Sequence, residues 1–198
     1  MNIHLRTVCL LAAAVAANTA AEAAVVYREV DNGELSGNGL SPTEIPLGVG
    51  SNQIFGRMGG GGGGADRDYF FVNIPTAFEL RSVTLLPETR VLDVSFIGLQ
   101  AGEQVTVNPN AGSANGLLGW SHYGAGDIGT DLLPTMAQGF GAAGFTAPLG
   151  AGSYAFWLQE TGSGSVTWGL DLQVQPVPLP GALPGLVSAL VLLQTRRR

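Results

Sequence analysis

The chain has no lysine, a single cysteine and only 12% charged residues across 198 positions, and each shortage closes off a class of function. Between Ala24 and Gln175, 5 arginines (28, 57, 67, 81 and 90) face 14 acids, a net of -9. Binding a phosphate backbone takes clustered positive charge, so nucleic acid is excluded as a partner. An acidic, lysine-free surface instead favours solubility and the attraction of divalent cations. Cys9 lies in an N-terminal segment with the layout of a removable leader, which leaves the body without thiol or disulfide. The body then has one imidazole, His122, too few soft donors for a zinc site of three or four His, Cys or carboxylate ligands. A convincing amphipathic helical period is missing too, and 30 glycines point to short strands joined by many turns.

What is present is clearest at the two ends. His4 and Arg6, the apolar stretch Val8 to Ala17 and small residues through Ala24 give the three regions of a secretory signal peptide, with Ala21-Glu22-Ala23 as the cleavage site. At the other end, Pro176, Pro178 and Pro180 fix φ and lack backbone donors, so this stretch is expected to be extended and accessible. From Gly181 to Thr195 there are 15 residues without a charge, which as a helix would span roughly 22 Å, short of a ~30 Å hydrocarbon core. Arg196, Arg197 and Arg198 would stay on the cytoplasmic side, with stems long enough to snorkel, and would leave the body outside.

The order Val177-Pro178-Leu179-Pro180, apolar run Leu186 to Leu193, then Arg196-Arg197-Arg198 resembles the PEP-CTERM sorting signal of Gram-negative bacteria. The resemblance implies export, transient anchoring in the inner membrane, and recognition by exosortase, a membrane-embedded cysteine transpeptidase-like enzyme. It also implies a final place at the envelope, outer surface or extracellular matrix. The chain departs from the usual motif at Leu179, where Glu normally stands between the prolines. A plain C-terminal membrane anchor is the alternative, whereas a Gram-positive sortase signal is set aside because Leu179-Pro180-Gly181-Ala182 lacks Thr-Gly.

Removing both ends leaves one domain of about 150 residues, 24–175, between a signal peptide at 1–23 and a sorting signal at 176–198. Val25 to Tyr27 opens a first strand, and the Asp-, Asn-, Gly- and Pro-rich stretch Asp31 to Pro46 is expected as a surface loop pinned by Leu40, Ile45 and Leu47. A short strand ending near Phe55 runs into six consecutive glycines, Gly59 to Gly64, which have no Lys-Ser/Thr after them and so are not a phosphate loop. Strands are expected over Phe78 to Leu86 and Val91 to Leu99, joined as a hairpin by Pro87 to Arg90, with Leu92, Val94 and Phe96 on the buried face. Gly102 to Val107 and Leu117 to Tyr123 are two more candidates. A loop crossing one end of the sandwich is expected over Asp131 to Pro148. Ser153 to Glu160 and Ser165 to Val174, around a turn at Thr161 to Gly164, form the expected closing hairpin, with Val166, Trp168, Leu170, Leu172 and Val174 on one face. The fold class is therefore all-β, an antiparallel β-sandwich of jelly-roll or pre-peptidase-like type, flanked by an N-terminal signal helix and a C-terminal hydrophobic helix.

Gly64-Ala-Asp66-Arg-Asp68-Tyr-Phe-Phe71 resembles the start of bacterial pre-peptidase C-terminal β-sandwich domains, where a Gly-Asp-x-Asp turn precedes an aromatic strand. From the residues themselves, two carboxylates at i and i+2 on a loop make Asp66 and Asp68 a candidate half-site for calcium, a hard cation taking six to eight oxygens. The competing reading is a polar turn in which one aspartate caps backbone amides. No catalytic residues are assigned. A Ser-His-Asp hydrolase would have to use His122 with Asp127 or Asp131 as orienter, yet no Gly-x-Ser-x-Gly elbow nominates a serine. Trp120, Trp157, Trp168 and Tyr154 would stack on sugars if exposed, but their places in alternating strands favour the core. The leading expectation is an exported, non-enzymatic surface or matrix protein with a calcium site. The alternative is a secreted hydrolase or carbohydrate-binding module acting on exopolysaccharide.

Overall fold

The computed structural model describes residues 23–60 and 66–178. The signal helix, Gly61 to Ala65 of the glycine run, and the sorting tail from Leu179 onward, including Leu179, Pro180, Arg196, Arg197 and Arg198, lie outside the described residues. Nine strands run in chain order: β1 (Ala24–Arg28), β2 (Thr43–Glu44), β3 (Gly50–Gly60), β4 (Asp68–Ile74), β5 (Phe78–Leu85), β6 (Ser95–Ala101), β7 (Gly119–Tyr123), β8 (Gly152–Glu160) and β9 (Gly164–Pro176). One-turn helices α1 (Glu29–Asn32) and α2 (Leu133–Met136) join them. A four-stranded sheet, β1-β3-β9-β5, faces a five-stranded sheet, β2-β4-β8-β6-β7. The expected all-β sandwich is therefore the architecture of the described body. Its pairings are antiparallel except at two edges, where β1 runs parallel to β3 and β2 parallel to β4.

The core lies between the sheets and follows the alternation of β9, whose Val166, Trp168, Leu170, Leu172 and Val174 are all buried. Opposite them stand Phe70, Val72, Phe156 and Leu158. Phe70 stacks on Phe156 within its own sheet at 4.9 Å and on Trp168 across the gap at 6.2 Å. Each such large side chain contributes about 1.5–3 kcal/mol by leaving water, so this aromatic trio ties the two sheets at one end of the sandwich.

Several local expectations give way to tertiary pairing. The residues on either side of Pro87 to Arg90 do not form a hairpin, because β5 and β6 lie in different sheets. The segment is a crossover, held by Arg90 N–H to the Thr167 carbonyl and by Thr89 against Gly169. The closing pair is likewise an arch rather than a hairpin, since β8 belongs to the five-stranded sheet and β9 to the other. In β6 the phase is the reverse of that expected: Ser95, Ile97 and Leu99 face the core, Phe96 faces outward, and Leu92 is exposed in the preceding loop. Gly102 to Val107 forms no strand; it begins a loop whose Val105 and Val107 cover the outer face. In the Asp31–Pro46 stretch, Leu35 and Ile45 are buried, while Leu40 is exposed.

Candidate cation site

The segment after β1 turns back on itself before it reaches the sheet edge. Asn32 Oδ1 accepts the Arg28 N–H at 2.9 Å, Gly33 takes φ +95°, and Leu35 then drops into the core. Gly33 has the one side chain-free backbone suited to that left-handed turn. As a result Glu29 and Glu34, on either side of the turn, come to the start of β4, where Asp68 stands. One carboxylate oxygen from each of Glu29, Glu34 and Asp68 lies within 4.8 Å of the others. Three oxygens that close together lie within about 2.8 Å of a common point, a few tenths of an ångström beyond a calcium–oxygen bond of roughly 2.3–2.6 Å, so small side-chain shifts would let one ion touch all three.

The three carboxylates are held differently. Glu29 Oε1 accepts the Leu35 N–H at 3.1 Å and its Oε2 accepts the Arg57 N–H at 2.6 Å. Glu34 is exposed at the mouth. Asp68 is 0% exposed. Its Oδ2 accepts the indole N–H of Trp168, and its Oδ1 has no hydrogen-bond partner among the described residues. Gly56 of β3 sets this geometry, because the Trp168 ring lies against its backbone; a Cβ there would fall 2.6 Å from the ring.

Burial, then the neighbouring Glu29 charge, pushes the Asp68 carboxyl up to about 9, with Asp66 and Glu34 adding to the rise and the Trp168 bond opposing it. Burial also lifts Glu29 to about 7, against the two backbone amides that favour its ionised form. Among the described residues the one ion pair is Arg28 with Asp31, at 3.8 Å, so no arginine forms an ion pair with the trio. A buried carboxyl with an unpartnered oxygen, set beside two more acids, is stabilised by a proton or by a bound cation.

Of the two carboxylates singled out by spacing, the structure brings only Asp68 into this cluster. Asp66 is exposed, outside the 4.8 Å group, and acts on Asp68 through its charge. Glu29 and Glu34 were missed by sequence reasoning, although the acidic turn Glu29-Val-Asp-Asn-Gly-Glu34 directly after a strand was a readable signal. Val177 and Pro178 of the sorting motif are exposed just past β9. His122 is exposed on the outer face of β7 beside Phe96 and Trp120, and its imidazole has no hydrogen-bond partner among the described residues. The orienting carboxylates proposed for it are engaged elsewhere, Asp127 with Gly124 N–H and Asp131 with Val83 and Leu133 N–H. Trp168 is core as expected, and Tyr154 is 9% exposed with its hydroxyl on the Gly150 carbonyl. Trp157 is buried too, at 7% exposure, in a second cluster with Tyr69 and Leu117 on the outer side of the five-stranded sheet, and Trp120 is half-buried against it.

The chain matches no protein-family model, no curated protein and no solved structure.

Proposed function

We propose that this chain is an exported, non-enzymatic β-sandwich protein that binds calcium at Glu29, Glu34 and Asp68 and is sorted to the cell surface or extracellular matrix by exosortase acting on its C-terminal signal. The sandwich is of the pre-peptidase-like or jelly-roll kind. The observation that carries the cation reading is the wholly buried Asp68, with Oδ1 unpartnered, beside two further carboxylates that make no ion pair with an arginine among the described residues. Three carboxylates supply part of the six to eight oxygens calcium takes, and the exposed Glu34 leaves the mouth open for water to supply others. Calcium would then join the β1–α1 turn to the start of β4, closing one end of the sandwich.

Delivery rests on the tail, in which proline pair, apolar run and arginine cluster follow in the order a sorting signal needs. Intact mass of the protein recovered from the surface of its native host tests it. The expected chain ends near Pro180, and a surface population that retains Arg198 would defeat the sorting part of the proposal.

A further inference from the structure

The outer face of the five-stranded sheet carries a row of aromatic rings, with Trp157 buried in a second hydrophobic cluster and Phe96 and Trp120 half-buried at its rim. Register puts Phe96 between His122 of β7 and Gln159 of β8, and Gly98 between Trp120 and Trp157. With no side chain at Gly98, Phe96 leans across it, so that its ring stands 4.6 Å from Trp157 and 5.8 Å from Trp120. Trp120 is held in place by Gly139, where a Cβ would fall 2.6 Å from the ring, and by its indole N–H to the Phe140 carbonyl at 2.9 Å. Phe140 itself is 92% exposed beside it.

Trp120 and His122 form the ridge between two concavities. One, about 260 Å³, runs between this ridge and the Asn108 to Ala114 loop, over Phe96, Trp157 and Gln159. The other, about 470 Å³, lies toward Pro134, Gln138 and Phe140. Neither is lined by an acidic or arginine side chain, on a body that carries 14 acids. The polar groups that are present offer donors: Arg67 occupies Gln159 Oε1 at 2.7 Å and the Asn110 amide occupies Asn108 Oδ1 at 2.9 Å, which turns both side-chain NH2 groups to other partners. Beneath them the Trp157 indole N–H is buried without a partner.

We propose that this face binds a neutral polysaccharide, laid across Trp120 with consecutive sugar rings in the two concavities. The flat C–H faces of a pyranose cover aromatic rings, while its rim of hydroxyls meets amide donors that lack partners. Uncharged lining in a strongly acidic protein favours an uncharged ligand, with the adjacent Arg67 guanidinium tied to Gln159 and Asn110. Two concavities that share one ridge suit a chain of repeating units better than a single small molecule. The proposal stands independently of the calcium site, which occupies the start of β4 and the β1–α1 turn.

The test uses the full chain with maltohexaose, cellohexaose and dextran as probes, read by tryptophan fluorescence and calorimetry, with calcium and with chelator. Binding of at least one glucan is expected. Trp120→Ala should weaken it at least about tenfold, as truncation of a central aromatic anchor does. Phe140→Ala should weaken it several-fold, and since Phe140 is almost wholly exposed this loss cannot come from misfolding. Asp68→Asn should leave it unchanged, so that failure here and failure of the calcium reading are separate results. The proposal is overturned if none of the three glucans binds, if both aromatic variants bind like the parent chain, or if a proline-rich peptide shifts the fluorescence where the glucans do not.

Discussion

Replacing Asp68 by Asn separates a cation site from a protonated acid pair, because the two readings predict opposite orders of stability. The amide is nearly isosteric and its oxygen can still accept the Trp168 indole N–H, so the core packing around Phe70 and Trp168 is kept. In chelator the variant should melt at or above the parent temperature, since it replaces a carboxyl that burial disfavours in its charged form. With calcium the order should reverse. For a site of the extracellular kind, with Kd on the order of 0.1 mM, 10 mM calcium is about 100 times Kd and stabilises by about 2.7 kcal/mol. At roughly 2–4 °C per kcal/mol for a domain of this size, the parent should gain about 5–10 °C. The variant, lacking the buried anionic ligand, should gain at most a fraction of that. Differential scanning calorimetry in chelator and in calcium gives all four temperatures. A parent chain whose melting temperature does not move with calcium would refute the argument, and so would equal shifts in parent and variant.

Two further outcomes follow from the same site. In chelator, Asp68 titrates near 9 when folded against about 4 when unfolded, so the folded chain holds a proton that the unfolded chain releases. The associated stability is complete below about pH 4 and is lost as pH rises toward 9, by up to about 1.4 kcal/mol per pH unit. Urea midpoints measured at several pH values should therefore fall across this window in chelator, and calcium should flatten the fall; a midpoint that rises with pH in chelator contradicts the assigned shift. Gly56→Ala puts a methyl group 2.6 Å from the Trp168 ring, at an overpacking cost of about 1–3 kcal/mol. Because the displaced indole also leaves Asp68, the variant should lose calcium affinity along with stability, and unchanged affinity in a titration would uncouple Trp168 from the site.

The parts of this molecule that were legible in the sequence are those fixed by neighbours along the chain. Strand β9 shows an unbroken two-residue alternation, and all five of its apolar positions are buried. Strand β6 failed for a physical reason: from Phe96 to Leu99 both of its faces are apolar, because the Gly102 to Leu118 loop covers the outer one with Val105, Val107 and Leu117. Periodicity finds a half-buried strand and cannot set the phase of one covered on both sides. Turn composition at Thr161 to Gly164 correctly marks a reversal, yet the residues of a turn do not say whether the next strand pairs or crosses to the opposite sheet. The cation site has the same logic. Spacing along the chain found Asp68, but its partner Glu29 is 39 positions away and reaches it through the parallel pairing of β1 with β3, a contact that leaves no local signature. Both candidate sites therefore arise where the sandwich departs from simple alternation: an acidic residue pointing into the core at the start of β4, and a row of aromatic rings on the outer side of β6, β7 and β8. At the first, a buried carboxyl costs stability unless a proton or a cation accompanies it; at the second, half-buried Trp120 and almost wholly exposed Phe140 leave apolar surface at the rim of a buried cluster, and regular core packing explains neither.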